Sequence, residues 1–148
     1  MTPMEIALAE ARAAAARGEV PVGAVVTDAA GMVLARAGNA VEARRDPSAH
    51  AEMLALRAAA AATGDKVLPE ATLWVTLEPC AMCAAAASFF RVRRVVFGAY
   101  DPKGGAVEHG PRFFAQPTCH HAPEVVGGVR ESEAAALLRD FFAGLRSG

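Results

Sequence analysis

His50, Glu52, Cys80 and Cys83 are the residues of this chain whose types and spacing could do chemistry together. They fall in two short motifs, His50-Ala51-Glu52 and Pro79-Cys80-Ala81-Met82-Cys83, each at the expected start of a helix. Cysteines three apart on a helix share a face, so two thiolates can grip one ion. A helix N-terminus favours negative charge and lowers a thiol pKa, which suits thiolate ligands. His50 adds a neutral imidazole, and thiolate with imidazole favours zinc among the divalent ions. Three protein ligands leave one tetrahedral position open, the pattern of a catalytic rather than a structural zinc. Zinc lowers the pKa of bound water toward roughly 7. A carboxylate nearby can then carry protons from the water to the leaving group. Glu52 does not share a helix face with His50, two residues away, so the two have different jobs. It is the acid that the sequence places for proton transfer.

Blander readings exist for the same residues. A Cys-x-x-Cys pair alone could be a redox couple. A closed structural zinc site would need a fourth ligand, for which Cys119, His109, His120 and His121 are spare. Glu52 and Pro79 would then be idle coincidences.

The elements that must position these residues follow from local signals. Thr2-Pro3-Met4-Glu5 reads as a capping box with proline at the first helical position, opening a helix to about Arg17 that stops at Gly18. Val20 to Thr27 and Met32 to Ala37 read as a hairpin around a turn at 28–31, with Pro21 confined to the strand start. Gly38 to Arg45 reads as loop. Asp46-Pro47 is the expected start of the helix carrying His50 and Glu52, which ends at Gly64. Thr72 to Leu77 is a short buried strand, followed by a helix from Cys80 to about Phe89 and a strand from Val92 to Phe97. Residues 98–123 form a long irregular stretch, of the kind that usually serves function. Glu124 to Val129 is a short strand, and Ser132 caps a last helix to about Ala143. The order gives one α/β domain over residues 1–148, a mixed sheet covered on both faces.

Composition narrows the function class. The formal net charge of -1 removes global attraction to a polyanion, so any nucleic acid must be held by a local basic patch and a fitted pocket. Three cysteines, an odd number, argue against a disulfide framework. Glu5 and Glu10 near the N-terminus do not suit a signal peptide, and no stretch approaches a membrane span of about 20 apolar residues. A reducing cytoplasm is the expected setting.

His-x-Glu followed by Pro-Cys-x-x-Cys resembles the signature of the zinc nucleobase deaminases. Gly18-Glu19-Val20-Pro21-Val22-Gly23-Ala24-Val25, Asp46 to Met53, Thr76-Leu77-Glu78-Pro79-Cys80-Ala81-Met82-Cys83 and Ala136 to Phe142 extend the likeness to the bacterial tRNA-specific adenosine deaminases. That resemblance implies a three-layer α/β/α cytidine-deaminase-like fold with a mixed sheet of about five strands. It implies one zinc per subunit on His50, Cys80 and Cys83, and Glu52 as proton shuttle. It implies hydrolysis of adenosine to inosine at the wobble position of a tRNA anticodon stem-loop, by a homodimer. Val20, Asn39, Pro79, Asp101, Lys103, His121 and Phe142 match positions around the substrate. The chain departs from the family pattern at Glu108-His109-Gly110-Pro111 and Cys119-His120. The alternatives are a zinc deaminase of a free base or nucleoside (guanine, cytosine or cytidine) and a non-catalytic zinc-stabilised scaffold.

Overall fold

The computed structural model describes residues 1–147. The elements are α1 (Pro3–Ala16), β1 (Gly23–Thr27), β2 (Val33–Gly38), α2 (Val41–Arg44), α3 (Ala51–Thr63), β3 (Thr72–Leu77), α4 (Ala81–Phe89), β4 (Arg94–Ala99), β5 (Glu124–Val126) and α5 (Glu131–Ser147), with one 3-10 turn at Phe113–Ala115. The capping box is present at α1, where the Thr2 hydroxyl accepts from Glu5 N and the Glu5 side chain reaches back. Gly64 ends α3 in the left-handed conformation, as its position after the last apolar turn requires.

The five strands form one sheet in the order β2-β1-β3-β4-β5. β1 runs antiparallel to β2 and β3, whereas β3, β4 and β5 are parallel. The parallel pairs need crossovers, and α4 with the 100–123 segment supply them. Two apolar clusters cover the two faces. One joins Ala55, Leu56, Ala59, Ala84 and Ala87 of α3 and α4 to Val26, Leu73, Val75 and Phe97. The other joins Met4, Ala7 and Leu8 of α1 and Ala134 of α5 to Val25, Val96 and Ala99. This is the three-layer α/β/α arrangement of the cytidine-deaminase-like fold.

Small side chains explain why the layers lie so close. Gly23 and Gly38 are cross-strand partners beneath α1. A Cβ at Gly23 would lie 1.9 Å from the Ala7 carbonyl oxygen, and one at Gly38 would lie 2.8 Å from that of Glu10. The helix backbone therefore rests directly on this strand pair, and the turns before β1 and after β2 are held beside each other.

The sequence expectation differs from the structure at several elements: β4 lies at Arg94–Ala99 rather than 92–97, β5 stops at Val126, and α5 begins at Glu131, so Ser132 lies inside it instead of capping it. The helix with His50 begins at Ala51, not at Asp46. The Asp46 carboxylate closes its own turn by accepting from the Ser48 amide and hydroxyl, 2.8 and 2.7 Å, an alternative to helix that Asp offers its own backbone. Residues 41–44, expected as loop, form the short helix α2, because a buried carboxylate from elsewhere caps it. β1 starts at Gly23 rather than Val20, since Val20 and Pro21 turn across the end of the sheet.

Candidate active site

The two motifs meet at the N-termini of α3 and α4, which open on the same side of the sheet. His50 is the N-cap of α3 and Cys80 the N-cap of α4, both with extended backbone (φ -71, ψ 150 and φ -72, ψ 176). Neither side chain caps its own helix. Both instead project off the helix ends, and Cys83 joins them from the first turn of α4. His50 Nδ1 lies 3.6 Å from Cys80 Sγ and 3.4 Å from Cys83 Sγ. The three ligand atoms lie within 4.8 Å of one another, and among the described residues this is the group that could hold a metal ion.

These separations fit zinc. Zinc–nitrogen and zinc–sulfur bonds of about 2.0–2.1 and 2.3 Å at tetrahedral angles put nitrogen and sulfur about 3.5–3.6 Å apart. Cys119 takes no part. Its Sγ lies 3.6 Å from the Ser88 hydroxyl and 3.3 Å from the His121 carbonyl oxygen, in a different cleft. No fourth protein ligand joins the group among the described residues, and His50 and Cys80 line the cavity, so a bound zinc would keep a position for water there.

Proton affinities agree with a cation at this point. The Cys80 thiol is pulled down to about 4, first by the Cys83 thiol donating to it and then by His50, against the effect of burial. Cys83 is pushed up, by sharing its proton with Cys80 and by burial. The pair yields one proton readily and the second only when positive charge compensates, which is what a divalent ion supplies. The hydrogen bond with Cys80 also raises the His50 pKa.

Glu52, in the first turn of α3, is 4% exposed and lines the same cavity as His50 and Cys80. Burial pushes its carboxyl up to about 7, with the nearby Cys80 thiolate adding to the shift. A carboxyl poised near neutrality can both accept and release a proton at working pH.

The cavity, about 530 Å³, is walled by segments that local sequence does not link. Asn39 is buried, and its Oδ1 accepts from Ala51 N at 2.8 Å, which caps α3 in place of His50. That bond occupies the amide oxygen, and Asn39 lines the cavity. Glu19 is 2% exposed and accepts from the Glu42 and Ala43 amides, 3.0 and 2.8 Å, which caps α2. Val20, Val22, Leu77, Glu78, Asp101 and Gly104 also line the cavity, with Phe141, Phe142 and Leu145 of α5.

The structure therefore brings His50, Glu52, Cys80, Val20, Asn39, Asp101 and Phe142 to one cavity, with Cys83 buried behind Cys80. Pro79 is buried below it, and its carbonyl accepts from Ala106 N. Lys103 is exposed on the adjoining loop. His121 is not brought there: its Nε2 lies 2.7 Å from the Val92 carbonyl oxygen, and the residue lines a separate small cleft with Ser88 and Phe89. The backbone of the 118–121 segment follows the end of α4 rather than the cavity mouth. Phe141 is half-buried and Phe142 is 42% exposed. Glu19, Glu78 and Phe141 escaped the sequence reading, and the cue was an acidic residue inside an otherwise apolar motif, Glu19-Val20-Pro21-Val22 and Leu77-Glu78-Pro79.

Comparison with known proteins agrees with the site. Residues 2–99 match the model of the cytidine and deoxycytidylate deaminase zinc-binding region. The chain is 60% identical to a tRNA-specific adenosine deaminase of Agrobacterium fabrum over 94% of this chain and 91% of the relative. A solved structure of a tRNA:A34 deaminase that edits A to I at the wobble position is 58% identical, with a TM-score of 0.90 over 92% of this chain and 98% of the other. A guanine deaminase from Nitrosomonas europaea is 27% identical, with a TM-score of 0.78 over 95% of this chain and 83% of the other.

Proposed function

We infer the reaction from one premise: this chain belongs to the cytidine and deoxycytidylate deaminase family, defined by its zinc-binding region. It is a zinc-dependent hydrolase that converts adenosine to inosine at the wobble position, position 34, of tRNA. The observation that carries the chemistry is the buried Glu52 carboxyl in the cavity lined by His50 and Cys80, whose ligand atoms converge with that of Cys83. Relatives at 60% and 58% identity act on tRNA, against 27% for the guanine deaminase, and this ranks the tRNA substrate above a free base.

His50 Nδ1, Cys80 Sγ and Cys83 Sγ would hold the zinc. When bound, zinc supplies a Lewis acid that makes water a competent nucleophile near neutral pH. Glu52 takes the proton of the attacking water and passes it to the purine ring nitrogen. As the oxygen bonds to C6, Glu52 takes the remaining proton from the new C6 hydroxyl and delivers it to the amino group, which departs as ammonia while the C6 carbonyl forms. The Asn39 NH₂ donates to an acceptor on the base, with its own oxygen held by Ala51 N. Val20 shapes the wall, and Pro79, buried behind it, supports the segment that carries Cys80. Asp101 faces a sugar, and Lys103 is available to a phosphate. Phe142 offers a ring on which a neighbouring base can stack, worth roughly 1–3 kcal/mol. The adenosine enters the cavity flipped out of its stack, at a cost that an unpaired anticodon loop keeps low.

The test is to incubate the protein with tRNA of its own source and read position 34 by sequencing, where inosine pairs as guanosine. Conversion of a large fraction of that adenosine is expected. No conversion, beside robust ammonia release from free guanine or adenosine, overturns the tRNA assignment.

The working form is a homodimer, as the family resemblance implies. Phe89, 79% exposed at the end of α4, supports an apolar contact on that side. Sedimentation equilibrium should give twice the chain mass at micromolar concentration, and a monomer there would refute the dimer. The site of action is the cytoplasm, where tRNA is processed. No helix among the described residues is long and apolar enough to cross a membrane. Cell fractionation should find the protein with soluble tRNA-processing activity, and recovery with membranes would count against it.

A further inference from the structure

Outside the reacting centre, the most heavily bonded buried acid is Glu78, the residue just before Pro79-Cys80. Its side chain has 0% exposure. Glu78 Oε1 accepts from Asp101 N at 3.0 Å and faces His109 Nδ1 at 2.8 Å. Oε2 accepts from the successive amides of Val107, Glu108 and His109, at 3.2, 2.9 and 3.1 Å. Three consecutive N–H groups converging on one oxygen form an anion-binding nest, and here the anion belongs to the chain itself. Among the described residues no arginine or lysine pairs with the carboxylate, and backbone dipoles with the His109 ring face it instead.

The loop is wound on this carboxylate at contact distance. A Cβ at Gly105 would lie 2.5 Å from Glu78 Cδ, from Glu78 Oε2 and from the Asp101 carbonyl oxygen. Only glycine lets the chain pass over the carboxylate there. Gly105 N donates to the Asp101 carbonyl, 2.8 Å, and Ala106 N to that of Pro79, 2.9 Å. The Asp101 carboxylate in turn accepts from the Lys103 and Gly104 amides, 3.3 and 3.0 Å. Asp101 and Gly104 both face the cavity.

We propose that Glu78 is a positioning residue for substrate recognition: its buried carboxylate winds residues 101–109 into place and thereby fixes Asp101 at the cavity mouth. The proposal rests on the deaminase reading above. Glu78 borders the cavity, but its fully buried carboxylate is turned to the loop and acts through Asp101. Its effect therefore belongs in substrate binding, not in the bond-breaking step or in metal retention.

Glu78→Gln separates these possibilities. A glutamine can turn its oxygen to the three amides of the nest. Its NH₂ then faces the Asp101 amide, donor against donor, while His109 can accept in its other tautomer. The substitution thus releases Asp101 selectively. For an anticodon stem-loop, KM is expected to rise about tenfold or more with kcat nearly unchanged, the signature of lost uniform binding. Zinc content should stay at one per chain. Asp101→Ala should show a similar rise, and the double variant should be no worse than Asp101→Ala alone. Gly105→Ala, which displaces the loop from the other side, should raise KM in the same way. Additive losses, a fall in kcat at constant KM, or loss of zinc would each overturn the proposal. Amide hydrogen exchange on the substrate-free protein gives an independent reading. Asp101, Val107, Glu108 and His109 should be protected in the wild type, and Asp101 should lose protection in Glu78→Gln. Absence of that protection in the wild type defeats the tether even if the variants do not fold. An inactive wild type with a protected loop would instead defeat the tRNA reading and leave the tether standing.

Discussion

Replacing Glu52 by alanine is expected to lower the deamination rate by at least about 10²-fold, in line with the loss of a general acid–base group, while zinc stays at one per chain. Glu52 is buried at the start of α3 and lines the cavity beside His50 and Cys80, yet it is not among the three ligand atoms that converge. Metal retention and proton transfer should therefore separate cleanly. Burial holds the carboxyl near 7, so it can both take a proton from water and give one to the departing amine. Glutamine at position 52 keeps the shape of the side chain and cannot do either. Glu52→Gln should thus be as inactive as Glu52→Ala, and this excludes a cavity left by alanine as the cause. Single-turnover rates on tRNA, with metal content by mass spectrometry, provide the measurement. A variant with unchanged rate would remove Glu52 from the mechanism.

Cys83→Ser should lose the metal and with it essentially all activity. Cys83 is fully buried, its thiol is pushed up by sharing a proton with Cys80, and it becomes a ligand only when a cation compensates the second negative charge. A serine hydroxyl is far harder to deprotonate, so the site would present one thiolate and one imidazole. Activity is expected to fall at least about 10³-fold, because the Lewis acid disappears rather than weakens. Stability should fall as well. A ligand held at about a thousand times its dissociation constant stabilises the folded chain by about 4 kcal/mol, so the melting midpoint should drop by several degrees. Chelator treatment of the wild type should reproduce both losses, and added zinc should reverse them. Cys119→Ser is the control: its sulfur contacts Ser88 and the His121 carbonyl, not the ligand group, so full metal content is expected. Full zinc and activity in Cys83→Ser would defeat the three-ligand site.

Local rules account for much of the chain. Thr2 to Glu5 make the capping box that opens α1, Gly64 closes α3, and Thr72–Leu77 is a strand with the expected ends. Each is decided by residues within about four positions, the range over which capping and periodicity act. Where a distant group intervened, the local reading failed. Residues 41–44 carry no side-chain cap of their own, and they are helical because Glu19 caps them across 23 and 24 residues. The start of α3 moved from Asp46 to Ala51 because Asn39 supplies the cap from outside the helix. The family resemblance places His121 near the substrate, whereas here the chain from 118 to 121 packs back on the end of α4.

Residue type and short spacing by themselves determined the chemistry of this protein: one imidazole, two sulfurs and one carboxylate at helix starts, and hence a metal with an open corner. Those properties are intrinsic to the side chains and to helix geometry. Only the tertiary structure decided that Nδ1 is the His50 atom facing the sulfurs, that Asn39 caps α3 from outside the helix, and that Glu78 holds the loop bearing Asp101. Those outcomes depend on hydrogen bonds between residues 12 to 33 positions apart. Such pairings exist only once the sheet has brought the ends of its strands together.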